Sequence, residues 1–246
     1  HEIFLQLLEG EFHKAPLRNP HRILDVGTGT GIWAIDMADT YPAAEVIGTD
    51  LSPIQPTWVP ANCKFEVDDA EMEWTFQPDY FDFIHLRNLA QGISNWSHVM
   101  SEVYRSLLTR SQVELVEVGL GELLSDDGSL ADDNHAKRVV DLVAEAMKRI
   151  GRPSPTVARM KQYLQDAGFV DITVSSYKQP FGPWPKDKRL KQAGSMALMM
   201  LQTGIEAYSM AAFTRILGIP QEEAAQLCRD AYQAMRYKHL HTYNFL

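Results

Sequence analysis

Ile23-Leu24-Asp25-Val26-Gly27-Thr28-Gly29-Thr30-Gly31 puts an apolar run of strand length directly before three glycines spaced G-x-G-x-G, and a helical pattern over 32–38 follows. Glycine lets a backbone turn with positive φ, and it lets a ligand lie against the chain with no Cβ in the way. A dinucleotide fingerprint would carry its third glycine one position later, where Ile32 stands. The spacing therefore points to a nucleoside-type ligand that does not need a pyrophosphate seat at a helix N-terminus.

Reading outward, strand-length apolar runs at 22–26, 45–50, 64–67, 81–86 and 113–118 alternate with amphipathic stretches. That alternation predicts an α/β fold with a mostly parallel sheet and helices on both faces. Acids stand at consecutive strand ends. Asp25, closing the first strand, suits a ligand ammonium, directly or through water. Asp50 ends the second strand about 20 residues on, the position that accepts from ribose hydroxyls. Leu51 and Ser52 would flank the base edge, and Asp68, Asp69 and Ala70 at the third strand end offer a carboxylate to an exocyclic amine.

Further along, helical patterns cover 134–150 and 157–167, the latter closed by Gly168 as C-cap. A sixth strand is expected at 171–177. From 186 to 237 the pattern is wholly helical, with breaks at Gly204 and 218–220, and a seventh strand is expected at 241–245. The predicted organisation is an N-terminal helical segment 1–21, a Rossmann-like core 22–185, a helical insert 186–238 capping the cleft, and 239–246 as the last strand of a seven-stranded core sheet.

With 246 residues, 45% of them apolar, the chain can bury a sizeable core. No apolar run approaches the roughly 20 residues of a membrane span, so no membrane association is expected. A formal charge of −9 leaves no basic field for a nucleic-acid partner. Cys63 and Cys228 form neither a metal spacing nor a disulfide framework, which suits a reducing compartment: the cytoplasm, with the nucleus as alternative. None of the histidines is spaced for a metal, and none is expected. His1 opens on a helical pattern, so further sequence is expected to precede it.

Taken together, residues 24–33, 46–56, 58–63, 68–71 with Trp74, 81–85 and 181–185 resemble the fungal LaeA-like methyltransferases over nearly the whole chain. The resemblance implies a class I methyltransferase fold and S-adenosylmethionine as cofactor, released as S-adenosylhomocysteine. Asp25, Gly27, Thr28, Gly29, Gly31, Asp50, Leu51, Ser52, Asp68, Asp69, Ala70 and Arg87 would then form its site. It also implies a role in or around secondary metabolism, where members are either regulators or tailoring enzymes. One departure stands out: the family's Pro-Gly-Gly turn before the fifth strand is replaced by Leu107-Leu108-Thr109-Arg110-Ser111, which holds no glycine.

Methyl transfer is an in-line displacement for which alignment alone supplies roughly 7 to 11 kcal/mol. For an oxygen acceptor, His85 at the mouth of the fourth strand is the expected base, with Asn88 and Gln91 shaping the pocket. Trp184, Met196, Met200 and Tyr208 would add flat or apolar contact surface, and His98 is expected to face solvent. The leading expectation is O-methylation of a small-molecule secondary metabolite. The alternatives are a regulatory subunit with a protein partner, a homodimer, and an enzyme that uses the bound cofactor without transferring methyl. A dehydrogenase is disfavoured by the glycine spacing.

Overall fold

The computed structural model describes residues 1–246. Its first unit comprises His1, Glu11–Glu117 and Thr156–Val174. Five strands, β1 (Arg22–Val26), β2 (Glu45–Asp50), β3 (Cys63–Val67), β4 (Phe81–Arg87) and β5 (Leu107–Val116), form one parallel sheet in the order β3-β2-β1-β4-β5. β1, β2 and β4 are buried almost end to end, as strands of a parallel sheet covered on both faces must be.

The pleat sorts the side chains. Ile23, Val46 and Phe83 pack with Trp33, Ala34 and Met37 of helix α2 (Ile32–Thr40) on one face. Leu24, Ile47, Ile84 and Leu86 meet Trp96, Val99, Met100 and Val103 of α3 (Trp96–Ser106) on the other. Asn95 caps α3 by accepting from His98 N, and α5 (Val157–Ala167) lies over α3 with Tyr163 stacked on Trp96. Gly168, at φ 102°, ends α5 as its composition predicts.

The second unit comprises Glu2–Gly10, Val118–Pro155 and Ser175–Leu246. It holds α1 (Glu2–Leu7), α4 (His135–Arg149, capped by Asn134), α6 (Lys188–Ala211) and α7 (Gln221–Met235), with β6 (Lys178–Phe181) antiparallel to β7 (Thr242–Phe245). α6 runs unbroken through Gly204, so the expected break there is absent. The helix instead yields at a π-turn, Ala212–Ile216, before Gly218 and Pro220. No helix is long and apolar enough to cross a membrane.

Two sheet expectations are corrected. The main sheet has five strands, not seven, because β7 pairs with β6 in a separate two-stranded sheet. The alternation at 171–177 does not form a strand: Asp171 takes a left-handed φ of 54°, which breaks the extended run at its start and leaves Val170 and Val174 exposed. The segment 1–21 is helical only over Glu2–Leu7.

The glycine-free stretch before β5 has its own geometry. α3 passes directly into β5 at Leu107, and between the pairs Phe81↔Leu107 and Phe83↔Gln112 the outer strand carries three extra residues as a bulge. Arg110 absorbs the turn at φ 68°, a region that costs a residue with a Cβ roughly 1–2 kcal/mol. Arg110→Gly should accordingly raise the stability of the protein by about 1 kcal/mol in urea denaturation; an unchanged or lowered midpoint would show that the bulge is not strained.

Candidate functional site

The sheet changes direction of winding between β1 and β4, and ligands of such folds lie beyond the carboxyl ends of the strands at that point. The glycine turn sits there. Gly27 (φ 65°) is packed from outside: a Cβ on it would stand 2.3 Å from Leu89 Cδ2. Gly29 (φ 60°) differs, since a Cβ there would meet nothing within 4 Å. The middle of the turn is therefore backbone presented to open space, the surface a ligand can lie on.

Asp50 fixes that surface. Its Oδ2 accepts from Gly29 N at 2.8 Å and its Oδ1 from Ser52 N at 2.9 Å, so one carboxylate ties the glycine turn to the loop after β2. A carboxylate has about four acceptor positions, so two remain for hydroxyl donors. Gln55 reinforces the tie by donating from Nε2 to the carbonyls of Gly29 (2.6 Å) and Ser52 (3.0 Å). Around these groups, Leu51 (68% exposed), Ile54 (62%), Val67 (65%) and Met72 (61%) hold apolar side chains in solvent. Val67 is the register partner of Asp50. The third strand end closes as a turn, with Asp68 accepting from Asp69 N and Asp69 from Glu71 N, while Ala70 lies against the core and its carbonyl accepts from Trp74 Nε1.

Asp25, the expected ammonium ligand, is held by two neighbouring side chains. It is buried, and both oxygens are engaged: Oδ2 accepts from Thr28 Oγ1 at 2.6 Å and Oδ1 from His85 Nδ1 at 2.8 Å. Pairing explains the arrangement, for Phe65, Gly48, Asp25, His85 and Glu114 are matched in one row across the sheet. Gly48 leaves the space over the row that Phe65 and the Thr28 hydroxyl occupy. Asp25 thus supports the turn through Thr28.

His85, the expected base, is held inside the first unit. It is 1% exposed and its ring stacks on Trp33 at 3.8 Å and 8°, while Trp33 Nε1 donates to Phe12 O. It lies two residues inside the strand end and beneath α2, so it buttresses Asp25 and does not stand at the cleft mouth. Arg87, half-buried, is held below its usual pKa by desolvation and drawn back up by Asp25 and Glu114. Glu114 Oε2 accepts from the backbone N–H groups of Lys14 and Ala15.

Of the acceptor candidates, Asn88 begins the loop after β4 in a left-handed conformation, its N–H donating to Val116 O, and Gln91 follows half-buried in that loop. His98 is half-buried, with Nε2 3.1 Å from the Met72 carbonyl, to which it donates. Trp184, Met196, Met200 and Tyr208 belong to the second unit. There Trp184 stacks on His241 and donates to Thr242 O, Met196 is half-buried, and Met200 and Tyr208 are exposed on α6.

Sequence reading missed Glu117. It directly follows β5, is 9% exposed, and its Oε1 accepts from Leu89 N (2.7 Å) and Ala90 N (2.9 Å). Burial pushes its carboxyl up to about 7, against the pull of the two amides. A carboxyl raised in the folded state holds its proton more tightly there than in the unfolded chain, so its contribution to stability falls as pH climbs from its ordinary range to about 7. The signal that could have found it was the recurrence already noted, an acid at each strand end, extended to β5.

A parallel sheet wound in both directions from β1, a bare glycine turn at its switch point and a ribose-type acid on β2 define a Rossmann-like protein of the class I methyltransferase type. The methyltransferase domain family matches residues 2–174. The chain is 41% identical over 229 residues to methyltransferase pytC of Aspergillus terreus, covering 92% of this chain and 70% of that protein. It is 39% identical over 222 residues to the secondary metabolism regulator LAE1 of Cochliobolus heterostrophus, covering 88% and 72%. A solved phosphoethanolamine N-methyltransferase 2 of Haemonchus contortus, in complex with S-adenosylhomocysteine, shares the fold at 20% identity and a TM-score of 0.55, over 98% of this chain and 51% of that one. The chain belongs to the methyltransferase domain family, among its LaeA-like members, and its class is that of the S-adenosylmethionine-dependent methyltransferases.

Proposed function

We propose that the protein transfers a methyl group from S-adenosylmethionine to a small-molecule acceptor of secondary metabolism, most simply to oxygen. The observation that carries this reading is the bare backbone at Gly29, pinned by Asp50 and bordered by exposed Leu51, Ile54 and Val67. These residues fit a nucleoside: Asp50 has acceptor positions left for ribose hydroxyls, the apolar side chains can cover a base, and Asp68 stands ready for an exocyclic amine. When bound, the cofactor supplies a methyl group on a sulfonium, already activated for displacement. What remains for the chain is alignment, exclusion of water and handling of the acceptor's proton.

A low-molecular-weight acceptor suits the charge of −9 better than a phosphate backbone does. Two buried, unbridged thiols, Cys63 and Cys228, suit the cytoplasm. The test is calorimetry with S-adenosylmethionine, S-adenosylhomocysteine and NAD, followed by incubation with methyl-labelled cofactor and a small-molecule extract of the producing organism. Binding of the first two and label in an extract component is expected. Tight nucleoside binding with no labelled small molecule would overturn the acceptor class, and NAD binding alone would overturn the whole reading.

A second reading is favoured by the name of one relative, the secondary metabolism regulator LAE1. There the fold would serve a protein complex, and a pull-down that recovers the same partner from the unmodified protein and from Asp50→Ala would support it.

A further inference from the structure

An oxygen acceptor needs somewhere to put its proton, and the side chain expected to take it, His85, is sealed beneath α2. We propose that Glu117 is the carboxylate that receives the acceptor's proton during methyl transfer, an assignment that rests on the function proposed above.

Its place in the fold is at the carboxyl end of the sheet. Val116, the residue before it, pairs with Arg87, and Val116 O accepts from Asn88 N at 3.0 Å. Glu117 then holds the start of the loop after β4 through the amides of Leu89 and Ala90, and Leu89 in turn rests against Gly27 of the glycine turn. One side chain thus separates this carboxyl from the surface assigned to the cofactor. Both amides fall on Oε1, which leaves Oε2 outside these two bonds. Asp25, the other buried acid beside the turn, accepts from Thr28 on one oxygen and from His85 on the other.

The chemical environment fits a base working near neutral pH. A carboxyl raised to about 7 is ionised in good part at the pH of a cell and still basic enough to accept a proton. The ionisable side chains of the neighbouring strands are Arg110 and Glu114 on β5, Asp82, His85 and Arg87 on β4, and Arg22 and Asp25 on β1; of these Glu114, His85, Arg87 and Asp25 stand toward the carboxyl ends. Arg87 is attracted to Asp25 and Glu114, and the loop 88–95 over Glu117 contains no ionisable residue. In the transfer step the acceptor's O–H proton passes to Oε2, an oxygen lone pair forms the O–CH3 bond, and the electrons of the broken C–S bond stay on sulfur, which becomes a neutral thioether. The carboxyl afterwards returns its proton to water.

The experiment uses two nucleosides of different charge on the full chain. S-adenosylmethionine carries a cationic sulfur and S-adenosylhomocysteine does not, so their affinity ratio reports a titrating carboxylate beside the sulfur while other pH effects cancel. In the unmodified protein the ratio should rise roughly tenfold between pH 6 and 8, and in Glu117→Gln, whose amide oxygen can still accept from Leu89 and Ala90, it should be flat. With labelled cofactor and the extract, the Gln variant should lose about 10²–10⁴-fold in rate, and Glu117→Asp should recover part of it with the neutral-pH limb intact. A flat ratio in the unmodified protein, or a Gln variant with full rate and an unaltered pH limb, would overturn the assignment. Failure of the unmodified protein to bind either nucleoside would instead remove the proposed function, and this inference with it.

Discussion

Asp50→Ala should weaken binding of S-adenosylhomocysteine by roughly a hundredfold or more, about 3 kcal/mol, while leaving the fold intact. The carboxylate does two jobs that the methyl group of alanine cannot: it holds Gly29 N–H and Ser52 N–H in place, and it keeps acceptor positions for hydroxyl donors. Hydrogen bonds to a charged group contribute about 1.5–3 kcal/mol each, so the loss of two ligand bonds alone accounts for the figure. Because Asp50 is at a strand end and only half-buried, its removal leaves the core untouched. Asp50→Asn should fall between the two, since its one oxygen can serve only part of the set and its amide meets an N–H. Titration calorimetry reads the effect directly. An alanine variant that binds as well as the parent protein would mean that the nucleoside lies elsewhere.

The second large effect concerns stability, not binding. His85→Ala should destabilise the first unit by about 3–5 kcal/mol, because it strips a buried carboxylate of a hydrogen-bond donor and opens a cavity against Trp33. Trp33 is the natural reporter: urea unfolding followed by tryptophan fluorescence should show a lower midpoint and a changed folded-state signal. In the fraction that remains folded, the affinity for S-adenosylhomocysteine should change little, as would not be expected of a residue that touches ligand. A loss below 1 kcal/mol would show that the Asp25–His85 pair is incidental.

These two residues also mark how far sequence carries. Asp50 could be read directly, because a strand end about 20 residues beyond a glycine turn fixes its position without knowledge of packing. The face of a strand is harder. His85 and Arg87 share a strand end in the sequence, but which of them is buried depends on the register that sets His85 beside Asp25 and under α2. Gln55 escaped notice because its value lies in reaching two carbonyls that are distant until the loop folds back. The alternation at 171–177 looked like a strand since periodicity reports only the half of strand formation that concerns faces. Pairing with a neighbour decides the rest, and the left-handed Asp171 turns the chain away. The helices were more legible: a cap such as Gly168 is a local device that acts over three or four residues.

The bulged strand β5 is the last in its sheet, so one whole rim of its backbone donors and acceptors has no neighbouring strand. Rims of this kind recruit other chains unless charge keeps them apart. Arg110 is therefore placed between two ends in conflict, since the backbone bend it endures costs conformational free energy while an exposed positive charge on a last strand opposes pairing with a second chain. The glycine replacement that relieves the first would also remove the second, giving molecules that are individually sturdier yet more prone to adhere to one another in concentrated solution.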